Sequence, residues 1–180
     1  MLDNEEKLIK KAIRRDGDSF GALYDHYQPQ IYRFVLIKIG KKEDAEDLTH
    51  QVFLNAWQNV VNYRLKGFPF SSWLYSIARN QIIDFYRSRK PVQSLEKIDP
   101  ESLSEESREE ENLGEKMDLE KVMGAVRHLK FDYQDVLIMR FVEDLSLKET
   151  AAAIKKSEGS VKLIQHRAIE QLKSLLNQNG

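Results

Sequence analysis

The first part of the chain has the hydrophobic periodicity of α-helices. Between Glu5 and Lys90, apolar residues recur three and four positions apart, a spacing that predicts amphipathic helices. Asp18-Ser19 is typical of a helix start and Gly40 of a helix stop. The alternation that marks a β-strand is hardly visible. We therefore expect this region to be helical almost throughout.

A loop interrupts the helical pattern near the middle of this region. It is predicted over residues 63–69, because Gly67 and Pro69 both break helices. A further helix is expected to begin at Ser71 or Ser72 and to run towards Arg89.

A change of composition divides the chain in two. Residues 91–116 hold few large apolar side chains and many acids, which predicts a flexible acidic linker. The helical period returns from Met117 onwards. The expected fold is all-α, with two small helical domains at residues 1–90 and 117–180 joined by this linker.

Composition narrows the class of protein. Hydrophobic residues make up 41% and charged residues 32% of the 180, which is typical of a globular chain. No apolar run approaches the roughly 20 residues of a membrane-spanning helix, and the first residues are acidic, unlike a secretory signal. The chain has no cysteine, which excludes disulfides and thiolate sites. We expect a cytoplasmic protein without membrane insertion.

Candidate catalytic chemistry is sparse. The 4 histidines lie far apart and give no metal-ligand pair, and no glycine-rich phosphate loop is present. We therefore expect no enzyme, no metal, no cofactor and no small-molecule substrate. The formal net charge is −1, so binding to nucleic acid would require local segregation of charge.

The last part of the chain predicts a helix-turn-helix. Ser146 and Ser157 are each placed to cap a short helix, with a break between the two helices at residues 155–156. Polar and basic residues stand early in the second helix, as expected for a helix that enters the major groove. Any small helical hairpin can share these features, so this pattern alone leaves DNA binding open.

The segment 144–168 contains Asp144-Leu145-Ser146-Leu147-Lys148-Glu149, Ser157-Glu158-Gly159-Ser160-Val161-Lys162 and His166-Arg167-Ala168. It resembles the promoter-reading end of sigma factors, the subunits that direct bacterial RNA polymerase to promoters. The resemblance implies contacts with the minus-35 element through Ser160, Lys162, Leu163, Ile164, His166 and Arg167. One hypothesis is that Leu163 or Ile164 packs on thymine methyls while Lys162 and Arg167 hold phosphates.

The acidic helix that begins near Glu43-Asp44 is amphipathic, and its acids can be explained as a solvated helix start. It also resembles the sigma-factor helix that docks on core RNA polymerase. The resemblance implies docking through residues on adjacent turns. These residues are Asp47, His50, Gln51 and Leu54.

The segment 63–90 combines aromatic residues with basic residues, and Asp84 is its only acidic residue. It resembles the sigma-factor element that opens the minus-10 region and holds the non-template strand. The loop at Phe68–Ser71, with Asn80, is expected to form a pocket for a flipped nucleobase. The nearby basic side chains are expected to contact successive phosphates of the strand. The predicted minus-10 residues are Arg64, Phe68, Phe70, Ser71, Arg79, Asn80, Arg87, Arg89 and Lys90. The alternative is that the apolar residues of this helix, such as Leu74 and Ile77, are simply core.

These segments follow one another in the order of the compact extracytoplasmic-function (ECF) group of the sigma-70 superfamily. The resemblance implies three partners: core RNA polymerase, promoter DNA and an anti-sigma factor. The rival interpretation is a stand-alone helix-turn-helix regulator whose N-terminal helices sense a ligand or dimerise.

Overall fold

Helices form nearly all of the structure, a computed structural model that describes residues 4–65, 68–89 and 114–178. Side chains are described for these residues except 114–118 and 178. In chain order the α-helices are α1 (Glu5–Ile13), α2 (Gly17–Ile39), α3 (Lys42–Asn59), α4 (Phe70–Arg89), α5 (Gly114–Arg127), α6 (Phe131–Leu137), α7 (Leu147–Ile154) and α8 (Glu158–Gln178). A 3₁₀ turn (Val60–Asn62) follows α3, and a π-helical turn (Ile138–Val142) follows α6.

Local signals explain the helix ends in the first half. Asp16 caps α2, because its carboxylate accepts a hydrogen bond from the Ser19 backbone N–H at 2.7 Å. The helix therefore begins at Gly17, slightly before the predicted start. Gly40 ends α2 with φ 76°, a left-handed conformation that glycine adopts without strain, and this confirms the predicted stop.

Caps also define the second half. Ser146 and Glu149 form a reciprocal capping box at the start of α7, with distances of 3.1 and 2.8 Å. The helix α5 begins at Gly114, three residues before the predicted Met117. The helix α8, with 21 residues, is much longer than the short helix expected.

The two halves pack on each other. The buried apolar side chains form one continuous cluster that extends from Ile9 in α1 to Ala168 in α8. The prediction of an all-α fold with two helical parts is confirmed. The predicted linker lies outside the described residues up to residue 113, and its last three residues belong to the first turn of α5. In the part of the chain that is described, no helix has the length and apolar character that crossing a membrane requires.

Candidate nucleic-acid and polymerase interfaces

The helix α8 has one buried face and one exposed face. Val161 and Ala168, two turns apart, are fully buried and anchor the helix. The predicted minus-35 residues divide between the two environments: Ile164 is half-buried against the core, and the others are exposed. The exposed ones are Ser160, Lys162, Leu163, His166 and Arg167.

The joint before α8 is compact. Lys155 ends α7 in a left-handed conformation with φ 56°, which turns the chain sharply. Ser157 then accepts a hydrogen bond from the Ser160 backbone N–H at 3.1 Å, which confirms the predicted cap. The Ser157 and Ser160 hydroxyls also lie 2.9 Å apart, so the Ser160 side chain already has a local partner.

The helix α3 carries an exposed stripe opposite its buried face. Its buried face includes Leu48, Val52 and Ala56. All four predicted polymerase-docking residues lie on the exposed stripe. They are Asp47, His50, Gln51 and Leu54, and the Leu54 side chain is 43% exposed despite being apolar. A single exposed apolar side chain is common on protein surfaces, so its exposure alone does not indicate a contact.

The loop before α4 is held by an aromatic cluster. The rings of Tyr63 and Phe70 lie 5.3 Å apart, and Trp73 lies 5.1 Å from Tyr63 and 5.4 Å from Phe70. The Tyr63 hydroxyl donates to the Phe68 carbonyl at 2.6 Å. Burial raises the pKa of Tyr63 to about 12, so this hydroxyl stays protonated near neutral pH.

Two residues predicted for strand capture, Phe68 and Phe70, differ in their exposure beside this aromatic cluster. Phe70 is only 3% exposed and supports the loop, so its ring cannot stack on a base in this arrangement. Phe68 is 60% exposed. Tyr63 and Trp73 were not among the residues predicted for the site, although their place beside the predicted loop was a signal that they could shape it.

The remaining predicted minus-10 residues differ in what they contact. Arg64 and Asn80 are exposed, and Lys90 lies outside the described residues. Arg87 lies 3.6 Å from Asp84, and Arg89 lies 2.9 Å from Asp44. The Arg87 and Arg89 side chains are 50% and 56% exposed, and ion pairs of such exposed groups usually contribute little to stability.

Arg79 belongs instead to a charge cluster between the two halves of the chain. It donates to Asp135 at 2.8 Å and to Asp132 at 2.6 Å, and Lys156 lies 3.1 Å from Asp132. Lys38 in α2 donates to the other carboxylate oxygen of Asp135. The side chains of Lys38 and Asp135 are fully buried. We call these five residues the interdomain cluster.

In the interdomain cluster, burial and ion pairing shift the pKa values of the charged groups in opposite directions. Burial lowers the pKa of Lys38 to about 8, although the carboxylate of Asp135 favours the charged lysine. Burial alone would raise the pKa of Asp132, but Lys156 and Arg79 hold it below its usual value. The only sequence signal for this cluster was a lysine within the apolar run Phe34–Ile39.

Further polar contacts join the halves. Arg33 in α2 binds Glu143 through two hydrogen bonds of 2.7 and 2.6 Å. Ser72 in α4 donates to the Glu149 carbonyl of α7 at 2.9 Å, and the Ser71 hydroxyl lies 3.5 Å from the Glu149 carboxylate. The first turn of α4 therefore lies against α7.

Comparison with known proteins identifies the family. Residues 23–92 match sigma-70 region 2, and residues 125–174 match sigma-70 region 4. The ECF RNA polymerase sigma factor BldN of Streptomyces coelicolor is 35% identical over 173 residues. That alignment covers 94% of this chain and 65% of BldN.

Solved structures support the fold. CnrH, in a complex with the cytosolic domain of CnrY, superimposes with a TM-score of 0.75 at 20% identity over 98% of this chain and 99% of CnrH. The sigma factor RpoE, in a complex with the anti-sigma factor NepR from Bartonella quintana, superimposes with a TM-score of 0.66 at 21% identity over 88% of this chain and 96% of RpoE. The chain belongs to the sigma-70 family, in its ECF group of RNA polymerase sigma factors. These matches favour the sigma-factor interpretation over a stand-alone regulator.

Proposed function

We propose that this chain directs bacterial core RNA polymerase to specific promoters and takes part in opening them. The observation that carries the proposal is the presence, in one chain, of region 2 and region 4 matches together with exposed residues at each predicted contact. Residues 1–90 would form the polymerase-docking and minus-10 domain, 91–116 the linker and 117–180 the minus-35 domain. The nucleotidyl chemistry belongs to the polymerase, and the chain acts in the cytoplasm without a catalytic site of its own.

Docking on the polymerase is assigned to the exposed stripe of α3. Leu54 supplies an apolar contact, and Asp47, His50 and Gln51 supply hydrogen-bonding groups around it. An apolar centre with a polar rim is the usual composition of a protein interface. An anti-sigma factor is a further proposed partner, since the sigma factor RpoE was solved in complex with the anti-sigma factor NepR.

Strand capture is assigned to the loop that the aromatic cluster supports. Phe68 offers an exposed ring, on which stacking of one base is worth about 1–3 kcal/mol. Unstacking a base costs a few kcal/mol, so the two terms nearly cancel. We expect this domain to capture bases that the polymerase helps to open, and not to melt duplex DNA alone.

Reading of the minus-35 element is assigned to the exposed face of α8. Leu163, which is 49% exposed, is placed to contact base edges, and Lys162 and Arg167 are placed to contact phosphates. The half-buried Ile164 has less surface to offer than Leu163.

Run-off transcription with core polymerase tests the function. Genomic fragments are transcribed with and without the chain, and we expect discrete new transcripts only when it is present. Tight operator binding by the isolated chain, with no effect on core polymerase, would refute the proposal in favour of a stand-alone regulator.

A pair of phenylalanine variants tests strand capture. Phe68→Ala should lower open-complex formation on a promoter found by run-off, by about 5- to 150-fold if one stacked base is lost. Phe141→Ala is the matched control, because Phe141 is 57% exposed but lies outside the predicted contacts. Equal losses in both variants would show that Phe68 has no specific role.

A further inference from the structure

A cleft lies between the loop that carries Phe68 and the turn that joins α7 to α8. Its volume is ≈ 410 Å³, within the range of about 300–1,000 Å³ that is typical of small-molecule sites. Pro69, Ala151 and Ala152 give it apolar walls, and the exposed ring of Phe68 lines it as well. Its charged lining residues are Lys148, Lys155, Lys156 and Glu158.

Two of the lysines in this cleft are available to bind an anion. Lys156 lies 3.1 Å from Asp132 and so has a partner. Lys148 and Lys155 are exposed, and neither has an ion-pair partner among the residues that the structure describes. Their two positive charges exceed the one negative charge of Glu158. The cleft therefore combines an aromatic ring and apolar walls with an excess of positive charge.

Lys155 has a backbone conformation that suits glycine better than lysine. Its φ of 56° and ψ of 44° are left-handed, and a glycine at such a helix end avoids the strain that a side chain causes there. Strain of this kind clusters at functional sites, where the side chain has a role of its own. The turn of the chain alone does not explain a lysine at this position, whereas a ligand in the cleft that its side chain lines does.

We propose that this cleft binds a nucleoside triphosphate, with the base stacked on Phe68 and the phosphates held by Lys148 and Lys155. An aromatic ring stacks on the π face of any base, and amines bind phosphate oxygens through charge-assisted hydrogen bonds. A volume in the small-molecule range fits a single nucleotide better than a nucleic-acid strand. This site goes beyond the proposed function and does not depend on it, although the nucleotide and a captured base would share Phe68.

Fluorescence anisotropy of a labelled ATP tests binding to the full-length chain. The probe is ATP with a methylanthraniloyl group on the ribose, and unlabelled ATP should displace it. GTP should compete similarly, because stacking tolerates any base. Tripolyphosphate lacks the base and adenosine lacks the phosphates, so each should compete at least about fivefold more weakly than ATP. If tripolyphosphate competes as well as ATP, the cleft is a site for polyanions without stacking, and the proposal is overturned.

Variants of the lining test which residues hold the nucleotide. Phe68→Leu keeps an apolar side chain and should weaken ATP binding about 5- to 150-fold through loss of stacking. Lys148→Gln removes a charged hydrogen bond and should weaken binding about tenfold or more. The control is Lys121→Gln, the same change at an exposed lysine of α5 that does not line the cleft. Equal losses in the two lysine variants would reveal attraction to overall charge and would overturn the proposal.

Two further substitutions give results that misfolding does not produce. Glu158→Gln removes a negative charge from the cleft, so it should tighten ATP binding by up to about fivefold. Lys155→Gly relieves the left-handed strain, so its melting temperature should not fall although ATP binding weakens about tenfold. A glycine variant that binds ATP as well as the parent would overturn the role of Lys155. These measurements need no polymerase, so absence of run-off transcription would be a separate result.

Discussion

Removal of one carboxylate from the interdomain cluster should destabilise the protein far more than removal of the lysine that it pairs with. The cluster holds three cations, Lys38, Arg79 and Lys156, and two carboxylates, Asp132 and Asp135. Lys38→Met leaves two cations with two carboxylates. Asp135→Asn leaves three cations with one carboxylate, in a site where Lys38 is fully buried.

The expected magnitudes follow from this asymmetry. Loss of one partner from a buried pair typically costs about 3–5 kcal/mol, because a charge stays buried without compensation, and we expect this for Asp135→Asn. In Lys38→Met, Asp135 keeps its bond to Arg79 at 2.8 Å. The unbranched thioether also fits between Phe34 and Phe131, whose rings Lys38 now contacts. We expect the free energy of unfolding of this variant to stay within about 1 kcal/mol of the parent.

Urea denaturation followed by circular dichroism and tryptophan fluorescence measures both effects. Separation of the halves relieves part of the cost in Asp135→Asn, so its m-value should fall with the area that is no longer buried. The matched control is Asp84→Asn, the same chemical change at a side chain that is 67% exposed, with an expected effect within about 0.5 kcal/mol. Equal costs for Asp135→Asn and Lys38→Met, or a cost below about 1 kcal/mol for the former, would refute the argument.

Three further predictions follow from the same structure. From pH 8 to 10 the free energy of unfolding should rise in the parent but not in Lys38→Met. Lys38 has a pKa of about 8 in the folded chain and 10.5 in the unfolded chain. The unfolded chain therefore binds more protons in this range, so raising the pH favours the folded state. Ser146→Ala should lower the free energy of unfolding by about 1 kcal/mol through loss of the capping box, and Ser146→Asn should retain most of it; equal losses would contradict a capping role. Lys162→Ala should weaken binding at every promoter about equally and reduce the salt slope by about one, whereas the exposed Lys121→Ala should not; a loss confined to one promoter sequence would contradict a phosphate contact.

Helix positions could be predicted from the sequence because their signals are local. Ser146, Ser157 and Gly40 act within a few residues of their own position, and the structure has each at the helix end that it predicts. The π-helical turn at Ile138–Val142 could not be predicted in this way. Its residues continue a helical period, and no local signal in the sequence distinguishes them from an α-helix; Ile138 and Met139 within the turn are buried.

The exposure of a candidate site residue could be predicted where it depends only on which side of one helix the residue lies. The period of α3 places Asp47 and Leu54 opposite the buried face, and the structure has both exposed. The partners of Arg79 were not predictable, since Asp132 lies 53 residues away and no local pattern links the two. The basic character of a residue in the sequence therefore says little about whether that residue is free to meet DNA.

Charged side chains supply several of the contacts between the two halves. A well-packed apolar replacement of buried ion pairs is often as stable or more stable, so stability alone does not require Lys38 and Asp135. An apolar contact, however, leaves hydrophobic surface in water on opening, whereas the ionic groups become well solvated. Charge pairing thus joins the halves at these positions through side chains that water can solvate when the halves separate.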